Sequence, residues 1–220
     1  MHIPQISFIF EMRKNSIKMD QNESLKKNKN RDAIIKIARQ VFNKYGYDKT
    51  RMDHISKAVG KGKSSIYYYF KSKEQIFQAV VLKEAIAFRR NMIDSINSNE
   101  NPADKIKTYI ITRMNTIKVY NNFHSALKNT RLRHIDFVRR LNIFYDNEEI
   151  RLFHNILEEG VEKNYFSITN LDMAEVAIIM AVKGIEDYIL RTENPALFTN
   201  RIDGLLRIIL HGIVRDKNDL

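Results

Sequence analysis

Apolar residues recur along this chain at intervals of three and four rather than two, a spacing that predicts helices from end to end. Ile34, Ala38, Val41, Phe42 and Tyr45 form one apolar stripe over residues 32–45, and Gly46 ends that helix as a left-handed residue. Thr50 opens a second, short helix that buries Met52, Ile55 and Val59; Thr50-Arg51-Met52-Asp53 reads as a variant capping box. Gly60 and Gly62 bracket a tight turn, and a third helix over 63–70 turns Ile66 and Phe70 inward. Ser72-Lys73-Glu74-Gln75, a second capping box, starts a long helix over 73–97, tracked by Ile76, Phe77, Val80, Val81, Glu84, Phe88 and Met92. Asn101-Pro102 supplies a cap followed by a first-turn proline. Helices over about 103–119, 122–130, 134–163 (with a break near Asp146-Asn147), 171–192 and 196–215 complete the chain. No strand pattern and no repeat is visible, so the expected class is all-α.

The last two helices are apolar on more than one face. Ala174, Ala177, Ile178, Ala181, Ile185, Tyr188 and Ile189 make one stripe of the first, with Val176, Ile179, Met180 and Val182 beyond it. The second carries Ile202, Leu205, Leu206, Ile208, Ile209, Leu210 and Ile213. Helices apolar nearly all round need cover on most sides. Two copies packing these helices about a twofold axis would supply it, with Ala177, Ala181, Ile185, Tyr188, Leu205 and Ile209 at the interface.

Composition narrows the function. Among 220 residues there is no cysteine, which removes thiolate metal sites, disulfides and cysteine nucleophiles together. No apolar run reaches the length of a membrane span, and the apolar stretch Ile3–Phe10 lacks a basic lead and a small-residue cleavage site. A cytoplasmic location is therefore expected. Met12 and Met19 are alternative starts, which would leave residues 1–18 outside the native protein.

Charge is segregated. Residues 1–73 hold 17 Lys and Arg against 6 Asp and Glu, the whole of the net +11, whereas residues 74–220 balance at 20 of each. A basic module on a neutral body points to a polyanion partner for the first and another task for the second. Lys26, Lys27, Lys29 and Arg31 read as a solubilising tail, but Lys57, Lys61, Lys63, Lys71 and Lys73 lie inside patterned helices.

The segment TRMDHISKAVGKGKSSIYYYFKSKE, residues 50–74, joins two short helices through a glycine-containing turn, the logic of a helix-turn-helix. The second helix would enter a DNA major groove with Lys63, Ser64, Ser65, Tyr67 and Tyr68 outward. The segment resembles the DNA-binding domain of TetR-family (TetR/AcrR) transcriptional regulators. Phe42, Tyr45, Gly46, Thr50, Ile55, Gly60, Ile66, Tyr67, Phe70, Lys71, Lys73 and Glu74 match that pattern in order over about residues 32–77. The resemblance implies that Lys63 and Ser64 approach bases, that Ser65 and Tyr67 add base or backbone contacts, and that Tyr68, Lys73 and Thr50 hold phosphates. Lys61 stands at a turn position usually apolar, and could reach a phosphate. Gly62 stands where a capping Ser is common, and Ser64 replaces a frequent Gly.

The resemblance also implies a three-part chain: an extension over 1–29, disordered or non-native; a helix-turn-helix domain over 30–76; and a helical effector-binding and dimerisation domain over 77–220. The expected protein is a homodimeric repressor with no cofactor and no catalytic residue. A hydrophobic or amphipathic effector would release it from a palindromic operator by moving helix 73–97. Of the aromatic-rich set Tyr109, Met114, Phe123, His124, Phe137, Phe144, Tyr145 and Phe153, the residues chosen for that pocket are Tyr109, His124 and Phe144. The alternatives are a helical enzyme or lipid carrier whose basic end meets membranes or RNA nonspecifically, and a regulator whose partner is a protein. Gly62-Lys63-Ser64 lacks the upstream glycine and strand of a P-loop, and Ser24-Leu25-Lys26-Lys27 lies in a polar tail. His154 and Glu158, four apart, lack the second pair of a di-iron bundle and read as a solvated face.

Overall fold

The computed structural model describes residues 21–132 and 135–191, together with 204, 207 and 208. Its helices are α1 (Gln21–Lys49), α2 (Met52–Val59), α3 (Lys63–Tyr69), α4 (Lys73–Asn97), α5 (Pro102–Thr116), α6 (Asn121–Lys128), α7 (Asp136–Glu162) and α8 (Leu171–Arg191), with a 3-10 turn at Thr130–Leu132. No β-strand occurs among these elements, and the fold is all-α. Residues 1–20 and the expected helix 196–215, with Leu205 and Ile209, fall outside the described residues apart from the three named.

Two compact units divide within α4, Met1–Ile76 and Phe77–Leu220. In the first, α1 packs on α2 and α2 on α3. Their core is Ile34, Ala38, Phe42, Ile55, Ile66, Phe70 and Ile76, all essentially buried. The helix α1 starts at Gln21, so residues 21–29 of the expected extension are helical. Gly46 interrupts it at φ 71, ψ 170, a conformation open to glycine alone among common residues. The cap of α2 is not Thr50, as the sequence pattern suggested, but Arg51, whose backbone N–H is accepted by His54 Nδ1 at 3.3 Å. Thr50 turns its hydroxyl back to the Gly46 carbonyl at 2.6 Å, and so closes the kink instead of opening the helix.

In the second unit α7 packs against α5, α6 and α8, and α5 also meets α8. Val81, Ile106, Ile110, Phe123, Val138, Phe153, Leu157 and Val182 are buried there. Asn101 caps α5 by accepting the Ala103 N–H at 2.8 Å, with Pro102 in the first turn. The expected break at Asp146-Asn147 is absent: α7 is one helix. It ends where Phe166 folds back onto Gly160. The Gly160 carbonyl accepts the Tyr165 and Phe166 N–H groups, and a Cβ on Gly160 would lie 2.0 Å from the Phe166 ring.

Candidate nucleic-acid interface

Helix α3 has seven residues, and its two inward positions decide the rest. Ile66 is fully buried and Phe70, just past the helix end, is 2% exposed. Spaced four apart, they fix the rotation of the helix on the α1–α2 base. Lys63, Ser64, Tyr67 and Tyr68 are then exposed, Ser65 is partly so, and Lys61 is exposed on the preceding turn. Tyr68 is 61% exposed, with its phenol open to solvent.

The surface is held by cross-contacts. Lys63 Nζ lies 2.5 Å from Asp53 Oδ1, joining α3 to α2 through groups that are both about half exposed. Tyr69 OH accepts from Asn30 Nδ2 at 3.2 Å, and Tyr68 stands edge-on to Tyr69 at 5.0 Å. Lys27 Nζ lies 5.1 Å above the Tyr68 ring, and the Arg31 guanidinium 4.9 Å from the Phe70 ring. Lys27, Asn30 and Arg31 of α1, in a stretch the sequence presents as a polar tail, thus flank α3. No apolar stripe runs through residues 21–33, so periodicity had nothing to report there.

Two of the eight sequence-chosen residues are placed differently from the others. Thr50 is 1% exposed, with its hydroxyl on Gly46 and its N–H on Tyr47. Lys73, in the first turn of α4, donates to the Tyr47 carbonyl at 2.8 Å and lies 4.2 Å over the Tyr47 ring. Burial lowers its pKa, opposed by the charge of Asp48, while burial raises that of Tyr47, helped by Glu74 and Asp48. Ser72 starts α4 as expected, its Oγ accepting the Gln75 N–H at 3.2 Å, while Gln75 Oε1 accepts the Lys71 N–H at 2.8 Å.

The profile of the tetR family of bacterial regulatory proteins matches residues 34–80, the span that builds this surface. Residues 34–80 are a TetR-family segment. Over 51 residues it is 43% identical to the biofilm-operon negative regulator IcaR of Staphylococcus epidermidis, a match covering 23% of this chain and 28% of IcaR. A longer match, 22% identical over 161 residues, covers 70% of this chain and 83% of the transcriptional regulator QacR of Staphylococcus aureus. The fold is shared with the regulator FadR of Bacillus subtilis in complex with stearoyl-CoA, at TM-score 0.64 and 20% identity, over 82% of this chain and 98% of that one. The chain covers 28% of the length of IcaR and 41% of that of the Escherichia coli regulator RutR, against 83% of QacR.

Its body holds a buried polar network that sequence reasoning found only in part. Tyr109 OH donates to Glu149 Oε1 at 2.5 Å and accepts from Arg113 Nη1 at 2.6 Å. Arg113 also donates to Glu149 at 2.7 Å, and its other nitrogens reach Glu186 Oε2 at 3.1 and 2.8 Å. Glu186 Oε1 meets His124 Nδ1 at 2.9 Å. His124 is 1% exposed, and its Nε2 finds no hydrogen-bond partner among the described residues. Burial would raise the Glu186 pKa, but the His124 hydrogen bond and the charges of Arg113 and Lys128 bring it down to about 2. Burial would lower that of Arg113, yet Tyr109, Glu149 and Glu186 raise it. Phe144 is half-buried against Tyr145 and outside this network. Glu84 accepts from Asn122 Nδ2 and the Phe123 N–H, both at 2.9 Å.

On α8, Ile178, Ile179 and Val182 face the core, while Met173, Val176, Ala177 and Met180 are exposed on another side. Ala181 and Ile185 are half-buried, and the Tyr188 side chain is not among those described. Among the described residues no helix is long and apolar enough to cross a membrane.

Proposed function

We propose that this chain is a homodimeric repressor that binds a palindromic operator in the cytoplasm and leaves it when a hydrophobic or amphipathic effector enters the body. The observation that carries the DNA reading is the rotation of α3, with Ile66 and Phe70 inward and Lys63, Ser64, Tyr67 and Tyr68 outward. In this reading Lys63 and Ser64 meet base edges, Ser65 and Tyr67 support them, and Tyr68 and Lys61 bind phosphates. Lys73 contributes charge at the edge while holding Tyr47. Thr50, buried, braces the kink.

The exposed apolar side of α8 supports the dimer: Met173, Val176 and Met180 in one row are what a second copy would cover. Two recognition helices then read two half-sites. For the effector, the support is His124, whose buried Nε2 awaits a polar partner beside the rings of Phe88 and Phe123. FadR, similar in fold, is known with stearoyl-CoA, and an acyl chain with a polar head is the ligand type assigned here.

The test is fluorescence anisotropy of purified protein on duplex DNA from upstream of its own gene, with a scrambled duplex and Tyr68→Phe as controls. The reading expects selective binding, two protomers per site, and a loss of several-fold for Tyr68→Phe. Selection from random genomic fragments covers a distant operator. Failure to enrich any sequence there would overturn the regulator reading in favour of a carrier with a nonspecific basic end.

A further inference from the structure

The sequence leaves His154 and Glu158 as a pair on one face of α7, and the fold sets the start of α8 against them. His154 Nδ1 is 2.5 Å from Glu175 Oε1, and one ligand atom each from His154, Asp172 and Glu175 lie within 4.8 Å of one another. Glu158 adds a third carboxylate acting on the same imidazole. Asp172 is exposed and His154 partly so, but Glu175 is only 5% exposed.

We propose that His154, Asp172 and Glu175 form a binding site for a divalent cation of the zinc or manganese kind. Charge is the first argument. Three carboxylates act on one imidazole, so the group keeps an excess of negative charge even when the imidazole is protonated. A carboxylate as buried as Glu175 is poorly compensated by one half-exposed partner, and a divalent ion in the seam supplies what is missing. The amino-terminal end of α8 favours the Asp172 carboxylate by itself, but explains neither the burial of Glu175 nor the imidazole facing it.

The donor set is the second argument. One imidazole nitrogen with two carboxylate oxygens suits Zn2+ or Mn2+; Mg2+ and Ca2+ prefer oxygen alone. Glu158 or water completes the shell. Donors around tetrahedral zinc stand roughly 3.4 Å apart for bonds of about 2.1 Å. His154 and Glu175 would separate by about 1 Å as the ion replaces their shared hydrogen bond, with Asp172 moving in. The ion would tie α7 to the first turns of α8, next to Met173 and Val176.

The experiment is calorimetric titration of the chelator-treated full-length protein with Zn2+, with Mg2+ for comparison, and visible spectroscopy after loading with Co2+. One saturable Zn2+ site per protomer is expected, none for Mg2+, and Co2+ bands of nitrogen and oxygen coordination. Glu175→Gln should weaken Zn2+ binding at least about a hundredfold, since even outer partners of metal ligands are worth about 10–100-fold. Asp172→Asn, at an exposed position that cannot unfold the core, should do likewise. His54→Gln, which loosens the cap of α2 in the other unit, should leave Zn2+ binding unchanged. Absence of saturable Zn2+ binding, or equal affinity in Asp172→Asn and the parent protein, would overturn the site.

Discussion

Lys63 and Asp53 form an ion pair at 2.5 Å across the turn between α2 and α3, so the first cation of α3 is already held by a carboxylate. In the proposed interface DNA competes with Asp53 for it. Pairs this exposed contribute at most about 1 kcal/mol to stability. Asp53→Asn is therefore expected to leave the unfolding midpoint nearly unchanged while tightening binding to every duplex several-fold. The salt dependence should steepen by about one unit because the surface loses a negative charge beside Lys63. Anisotropy over a salt series checks this; weaker binding by Asp53→Asn would mean that the pair positions Lys63 for a base.

Ile66 and Tyr67 are neighbours with opposite duties. Ile66→Ala empties a fully buried site and should cost about 2–5 kcal/mol in chemical denaturation. Tyr67→Ala, at an exposed site, should change stability by no more than about 0.5 kcal/mol and still lose DNA affinity. A Tyr67→Ala protein that binds DNA like the parent would remove Tyr67 from the interface.

At Gly160 an added methyl group would meet a ring, which it does at no other described glycine. A Cβ there would stand 2.0 Å from Phe166, so Gly160→Ala should destabilise by about 1–3 kcal/mol despite the better helix propensity of alanine. Phe166→Ala should cost less in the Gly160→Ala background than alone, because the clash and the contact share one space. Additive losses in thermal unfolding would refute the clash.

Glu186 makes the body sensitive to acid. Its folded pKa, about 2, lies below the ordinary 4.5, so its contribution is fully present above pH ~4.5 and is lost as pH falls toward 2. Glu186→Gln should flatten the stability profile across that window. Glu186→Ala, which leaves Arg113 buried with half its partners, should cost about 3–5 kcal/mol at neutral pH. Unfolding curves collected from pH 2 to 7 distinguish the variants.

The exposed apolar row on α8 yields a prediction about assembly. Met180→Glu places a charge on a residue that is 68% exposed in a single chain, so the chain itself should fold unchanged. The expected result is a monomer by sedimentation velocity with DNA affinity reduced at least tenfold, since one half-site is lost. A dimer unaffected by Met180→Glu would move the interface elsewhere.

How much could be read in advance follows from the range of the interactions. Helix spans such as 73–97, the Asn101-Pro102 start and the outward residues of α3 depend on neighbours within about one turn, and the spacing of Ile66 and Phe70 alone fixes which way Lys63 and Tyr68 point. The sequence by itself therefore determined the all-helical class, the segregated charge and the outward face of α3. Where a side chain had a local and a distant option, only the folded chain chose. Thr50 had the form of a helix cap but gave its hydroxyl to Gly46 at the kink. Arg113 and Glu186, 73 residues apart, carry no signal in hydrophobic periodicity, because a charge is stable inside a protein only once its partner arrives from another helix. The same holds for His154 and Glu175 and for Phe166 on Gly160. Local patterning sets which face of a helix is buried; tertiary packing decides which charge, ring or carboxylate it is buried against.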